Sequence, residues 1–386
     1  MNFGERIKAR LSGLEASGNL RELKNIEPIG KFALWEGKKY LNLSSNDYLG
    51  LGARPELIEE FYRPLAANPI DRKFALSASS SRLLTGNHPA YKELEARLGA
   101  LYGGRSALVF NSGYHANVGM LPALAGPKDL ILCDKLNHAS IIDGMLLSGA
   151  KFRRYPHLGY EALEKILDAS RGDFENVFIV TESVFSMDGD LADLKRLAGL
   201  KKKYGAVLIV DEAHAVGVFG ENGLGLCEAQ GVLTEIDIII GTFGKALCSA
   251  GAYGIMSPEV RDFLVNAMRP LIFTTGLPPV SVAWSGFVLD KAAAMKEERE
   301  RLSRLSAKLR EGLARAGHKT LGDSQIVPLV VGENRPALAL AERLREAGLL
   351  VFAIRPPTVP KNTARLRFSL TSALDDSDIA QVLAAL

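Results

Sequence analysis

The sequence predicts an α/β fold: a large unit built on a mostly parallel sheet, followed by a smaller α+β unit. Between about residues 100 and 256, short β-branched runs alternate with helix-like segments, the pattern of parallel strands joined by helical crossovers. A long, charged helical stretch over 289–317 then bridges to a terminal region that mixes strand and helix patterns. With 386 residues and 47% hydrophobic content, the chain has enough apolar material for a large core, and its length suggests two structural units.

Taken in order, the opening MNFGERIKARLSGLEASGNL alternates charges with scattered apolar residues and reads as an amphipathic helix, not as the continuous apolar stretch of a signal peptide. Residues 1–50 are expected to form this helix and a short strand segment. The large domain is expected over 51–283, with candidate strands at 107–110, 130–133, 177–181, 207–210, 236–240 and 252–256. In open sheets of this kind ligands collect beyond the carboxyl ends of the strands, where the unusual polar residues of this chain lie. After an apolar break, LPPVSVAW, the small domain is expected over 284–386, with IVPLVVG, LLVFAI and ARLRFSL as strands and ALALAERLREAG as a helix.

Composition narrows the function classes. The 47 basic and 44 acidic residues leave a net charge of +3, spread along the chain, so no stripe for nucleic acid stands out. Cys133, Cys227 and Cys248 form no CxxC pair, which suits a reduced, cytoplasmic protein without a metal cluster. Glycines or charges interrupt every apolar stretch before it could span a bilayer.

Residues 207–214 read VLIVDEAH, a buried strand delivering an acid, a second acid and a histidine at its carboxyl end. A DEAH-type helicase reading needs a GxxxxGK[ST] phosphate loop. The nearest approach, Gly241-Thr242-Phe243-Gly244-Lys245-Ala246, has the wrong glycine spacing and ends in a residue without a hydroxyl. In the competing reading Asp211 meets a pyridinium nitrogen, keeping it protonated, while Lys245 forms an imine with an aldehyde cofactor. Alone, such a lysine is ordinarily a surface residue and such an aspartate a helix cap. Their joint placement after VLIV and IDIII, with glycines around Lys245, favours the cofactor. NSGYHANVG, at 111–119, follows a strand and opens a helix-like segment, so its amides can receive a phosphate.

LSSNDYLGL, VTESVFSMDGD, IVDEAHAVGVFG and GTFGKAL together resemble the α-oxoamine synthases of the fold-type I pyridoxal 5'-phosphate (PLP) enzymes, over essentially the whole chain. Within that family, AIRPPTVPKNTARLRFSLTS is similar to the members that condense L-alanine with a pimeloyl thioester, on CoA or a carrier protein, in biotin synthesis. The resemblance implies a fold-type I transferase acting as a homodimer. It assigns Lys245 to the cofactor imine and then to general base, Asp211 to the ring nitrogen, and Ser186 and His214 to the phenolic oxygen. It gives the phosphate to the backbone of Gly113 and Tyr114 with the hydroxyl of Thr242, and to Thr274 and Thr275 of a neighbouring subunit.

By the same resemblance, His138 stacks over the ring and touches the substrate carboxylate; as an isolated residue it would read as the cap of the following helix. His88 and His115 keep that plainer reading. Arg367, assisted by Asn46, resembles the arginine that grips the amino acid carboxylate, a task suited to a forked donor. Spacing alone does not separate it from Arg365, which shares its strand face. Arg21, Arg355 and Thr358 match positions that contact the acyl substrate or the closing C-terminal segment. Ser77-Ala78-Ser79-Ser80-Ser81-Arg82 departs from the family's GSGGSR-like stretch and narrows the allowed backbone angles near the expected acyl channel. The alternatives are a sister synthase using glycine or serine and, less favoured because Lys245 and Asp211 are both present, a relative that binds without catalysing.

Overall fold

The computed structural model describes residues 1–68, 72–170 and 172–386. The chain forms two compact units, one from Arg54–Ser186 and Leu191–Arg299, the other from Met1–Ala53, Met187–Asp190 and Glu300–Leu386.

The first unit holds a seven-stranded sheet in the order Ser106–Phe110, Ala252–Met256, Ile238–Thr242, Val207–Asp211, Val177–Glu182, Leu130–Asp134 and Lys151–Tyr155. Strands stand at all the positions expected from β-branched runs, because strands covered on both faces are continuous apolar segments. Two features differ from the expectation. Ala252–Met256 runs antiparallel to both its neighbours; the link over 243–251 is shorter than the roughly dozen residues that a parallel crossover needs. Lys151–Tyr155, KFRRY, is an additional strand whose first four residues are exposed. It lies at the sheet edge, where charges discourage further pairing and erase the apolar signal.

On one face of the sheet, Leu108, Ile131, Val180, Ile209 and Ile240 pack against Met120 and Leu121 of the helix Gly113–Leu124 and Ile141 and Met145 of the helix Ala139–Leu147. Side chains alternate along a strand, so Glu182 and Asp211, each two residues beyond a core residue, continue this face at the carboxyl ends. Gly241 is required by close approach: a side chain there would collide with the Tyr253 ring on the paired strand. The expected break at LPPVSVAW is instead the start of a helix, Pro279–Ala293. Proline at the first helical position gives up an amide with no helical acceptor, so an apolar Pro-Pro step there opens the helix.

The second unit contains a four-stranded sheet (Ile26–Ile29, Phe32–Trp35, Lys38–Asn42, Leu349–Leu350) and a three-stranded one (Ile326–Gly332, Ala364–Ser369, Ala353–Ile354). The single strand expected at LLVFAI is therefore two short strands serving different sheets. The N-terminal helix Phe3–Ala16 forms as expected and buries none of its residues. Among the described residues, no helix is long and apolar enough to cross a membrane.

Candidate active site

At the carboxyl ends of adjacent parallel strands, Glu182 lies in register with Asp211. Asp211 is 6% exposed. Its Oδ2 accepts from Asn117 Nδ2 at 2.7 Å and its Oδ1 from the Ala213 amide at 2.8 Å, so the carboxylate is fixed by donors on two sides. Glu182 is 3% exposed, and its Oε1 has no hydrogen-bond partner. Burial, reinforced by the charge of Asp211, pushes its carboxyl up to about 8, against the pull of Lys245 and of the His138 and Ser186 amides.

Lys245 is half-buried, three residues past the strand Ile238–Thr242, in a turn closed by the Cys248 amide donating to the Lys245 carbonyl at 2.9 Å. His138 caps the helix Ala139–Leu147, its Nδ1 accepting from the Ser140 amide. Burial holds the imidazole below its ordinary value; Asp211 and Asp143 oppose this and Lys245 adds to it. Asp211, Glu182, His138 and Lys245 thus share one electrostatic neighbourhood.

Ser186 and His214 are buried in the turns that follow their strands. Gly113 opens the helix Gly113–Leu124, capped by the Ser112 hydroxyl, so the amides of Gly113 and Tyr114 fall in the first turn, where no helical acceptor exists. A methyl group added at Gly113 would meet nothing within 4 Å. The Tyr114 side chain is exposed and donates to Asp143 Oδ2 at 2.7 Å. The Thr242 hydroxyl bonds within its own turn, to the Gly251 carbonyl at 3.1 Å and from the Gly244 amide at 3.2 Å. Asn111 Nδ2 reaches the Thr275 carbonyl at 2.8 Å and Thr274 Oγ1 at 3.3 Å, tying that loop to the start of the 111–119 segment.

In the second unit, Arg367 donates to Asn46 Oδ1 at 3.2 Å, Ser369 Oγ at 2.5 Å and Tyr48 Oη at 3.3 Å. Arg365 is held by Asp188, Nη1 to Oδ1 at 2.5 Å, so its charge is already engaged by a carboxylate. Arg21 Nη2 donates to Thr358 Oγ1 at 2.9 Å, and Arg355 donates to the Gly18 and Leu20 carbonyls. Burial and the nearby Arg21 charge both lower the Arg355 guanidinium. Both arginines line a cavity of about 920 Å³ whose walls include Leu20, Trp35, Leu350 and Phe352.

Residues 38–386 match the family "aminotransferase class I and II". An 8-amino-7-oxononanoate synthase from Chlorobaculum parvum is 57% identical over 345 residues, covering 89% of this chain and 88% of the relative. The chain belongs to this aminotransferase family, in its α-oxoamine synthase branch. A serine palmitoyltransferase variant from S. paucimobilis, solved with a bound PLP–myriocin aldimine, superposes with a TM-score of 0.90 at 32% identity, covering 100% of this chain and 97% of that one. An 8-amino-7-oxononanoate synthase from Francisella tularensis gives 0.75 at 28% identity over 90% of this chain and 96% of that one. As an α-oxoamine synthase, the chain is a PLP-dependent enzyme.

The residues present fit that cofactor. A buried carboxylate suits a protonated ring nitrogen, first-turn amides with open space beside Gly113 suit a phosphate, and the orphaned Glu182 oxygen marks a pocket built to hold another polar group. Glu182 and Asn117 were not singled out from the sequence of this α-oxoamine synthase. The available signal was register: VFIVTE and VLIVD each place an acid two residues past a core residue. Glu212, the second acid of DEAH, turns to Ser183 Oγ and to the Leu226 and Cys227 amides, bracing the 224–227 segment.

Proposed function

We propose that this enzyme condenses L-alanine with a pimeloyl thioester, on CoA or a carrier protein, releasing carbon dioxide and the thiol carrier to give 8-amino-7-oxononanoate for biotin synthesis. PLP, when bound, supplies an electron sink for the carbanion formed at the amino acid α-carbon. Lys245 holds the cofactor aldehyde and, displaced by the amino acid, removes the α-proton as general base. Asp211 retains the proton on the ring nitrogen, and Ser186 and His214 orient the phenolic oxygen. The Gly113 and Tyr114 amides receive the phosphate with Thr242, and Thr274 and Thr275 complete the phosphate site of a neighbouring subunit in a cytoplasmic homodimer.

His138 covers the ring and touches the substrate carboxylate, which Arg367 and Asn46 grip. The engagement of Arg365 by Asp188 supports Arg367 in this role. The observation that carries the acyl preference is the cavity bearing both Arg21 and Arg355, with Thr358 bonded to Arg21. The apolar part of the wall suits a methylene chain, and two neighbouring guanidiniums, in a lining that also carries Glu15, Glu22, Glu36 and Glu342, suit a terminal carboxylate, which a pimeloyl group has and a palmitoyl group lacks.

The test is a screen of L-alanine, glycine and L-serine against pimeloyl, acetyl, succinyl and palmitoyl thioesters, scored by the mass of the amino ketone. Alanine with pimeloyl should dominate, and Lys245→Ala should abolish the visible absorption of the lysine-bound cofactor. Turnover confined to glycine or serine would overturn the substrate reading; persistence of the absorption would overturn the assignment of Lys245.

A further inference from the structure

His138 does not stand alone in its pocket. Asp211, as a carboxylate, only accepts, so Asn117 must present its amide nitrogen to it, which it does at 2.7 Å. The same nitrogen lies 3.0 Å from Ser140 Oγ and donates its second hydrogen there. The Ser140 hydroxyl has then accepted one bond and keeps its own proton to give; His138 Nδ1 is 2.8 Å away. The Ser140 amide also points at Nδ1, at 3.2 Å, as the cap of the helix Ala139–Leu147. The backbone amide cannot reverse, so this ring nitrogen must carry a lone pair, and the hydroxyl, which could otherwise accept from an Nδ1–H, then donates to it as well. A neutral imidazole with a lone pair on Nδ1 carries its proton on Nε2.

We propose that Ser140 and Asn117 are positioning residues that lock His138 as the Nε2–H tautomer, so that its second nitrogen offers the substrate a hydrogen-bond donor. Asn117 and Ser140 are buried, so water does not compete for these bonds. Asn117 donates in both directions, which breaks any proton wire between Asp211 and His138. The cluster fixes direction and does not relay charge. A donor at Nε2 is what a substrate carboxylate needs, and an Nδ1–H tautomer would set a lone pair against it. The charged groups facing the imidazole are Asp211 from the DEAH strand, Lys245 from the following strand's turn and Asp143 from its own helix. The Glu182 carboxyl lies by the His138 amide.

The proposal rests on the reading of His138 as a substrate-facing residue only for its consequence; the tautomer is measured without turnover. The PLP-loaded enzyme, labelled with 15N-histidine, is titrated by NMR. Its six histidines give few enough signals for His138→Asn to assign the one in question. Neutral His138 should show an unprotonated Nδ1 and a protonated Nε2. Ser140→Ala removes one of the two donors to the neutral ring, so the His138 midpoint should rise by roughly 0.5–1 pH unit, the worth of one hydrogen bond. Ser140→Thr, which keeps the hydroxyl, should stay at the wild-type midpoint. A proton on Nδ1 in the wild type, or an unmoved midpoint in Ser140→Ala, overturns the proposal. If Ser140→Ala does not fold, the wild-type tautomer alone decides. Unchanged kinetics in His138→Asn would instead remove the substrate-facing role and leave the tautomer assignment standing.

Discussion

Glu182→Gln tests whether the buried carboxyl beside Asp211 is held as a neutral acid. Its titration runs from the ordinary 4.5 in the unfolded chain to about 8 in the fold. A carboxyl raised on folding contributes stability that is complete below pH 4.5, and this contribution is lost as pH climbs through 8, because the unfolded chain ionises first. At about 1.4 kcal/mol per unit, the full span, with the easing by Lys245 and two backbone amides already in it, is worth at most roughly 5 kcal/mol. Glutamine copies the neutral acid in shape and cannot ionise. The assay is thermal unfolding of the cofactor-free protein, wild type and variant, at pH 5 and pH 8. At pH 5 the two should lie close together, and by pH 8 the variant should have gained several degrees on the wild type. Titrating groups outside the pocket cancel in the difference; Asp211 and Lys245, whose charges act on Glu182, respond to its loss and are part of the measured effect. Melting curves that stay parallel across that interval would mean Glu182 is ionised in the fold, and the reasoning would fail.

Ser79 adopts φ +53° in the stretch that departs from the family's glycines. Ser79→Gly should relieve that left-handed strain and raise stability by about 0.5–1 kcal/mol in chemical denaturation, whereas destabilisation would show that the Ser77–Ser79 hydroxyl contact outweighs it. Arg365→Met strands the part-buried Asp188 and should cost roughly 3–5 kcal/mol of stability, read as a fall in unfolding midpoint. Arg367→Lys keeps the charge but loses the forked contacts to Asn46 and Tyr48; it strands no carboxylate, so it should lower the midpoint less than Arg365→Met while raising the KM for the amino acid at least tenfold. Equal effects of the two changes on both readouts would refute the division between them.

The seven-stranded sheet was largely legible because a strand buried on both faces must be apolar throughout, and VFIV, VLIV and IIIG are. The edge strand KFRRY was not, since nothing requires an edge to be apolar. Direction was also beyond the pattern: Ala252–Met256 is as apolar as the parallel strands of the sheet, and only the length of the preceding link reveals that it runs antiparallel to both its neighbours. Asp211 and Lys245 stood out as polar residues ending apolar strands. Glu182 meets the same description, yet a glutamate at a strand end is ordinarily solvated, and only the pairing with Val207–Asp211 puts it in the dry pocket. His138 shows why a plain reading and a functional one need not compete: it is the helix cap that an isolated histidine would suggest, and capping is what fixes its tautomer.

Three acids crowd the carboxyl ends of two adjacent strands, and the fold gives each a different set of donors. Alternation along the chain turns Glu212 away from the face that carries Asp211, toward a serine hydroxyl and two amides that bond its carboxyl. Asp211 keeps a carboxamide and an amide, enough to fix it while leaving room for a partner. Glu182 keeps an oxygen with no partner and, ionised, would set a second negative charge beside the first. Two like charges in a low-dielectric pocket repel strongly, so the proton goes to Glu182, where burial weighs most against the ionised form. In the proposed reading, a ring nitrogen placed at Asp211 would meet a carboxylate fixed by two donors beside a neutral Glu182, the setting for an electron sink that stays protonated.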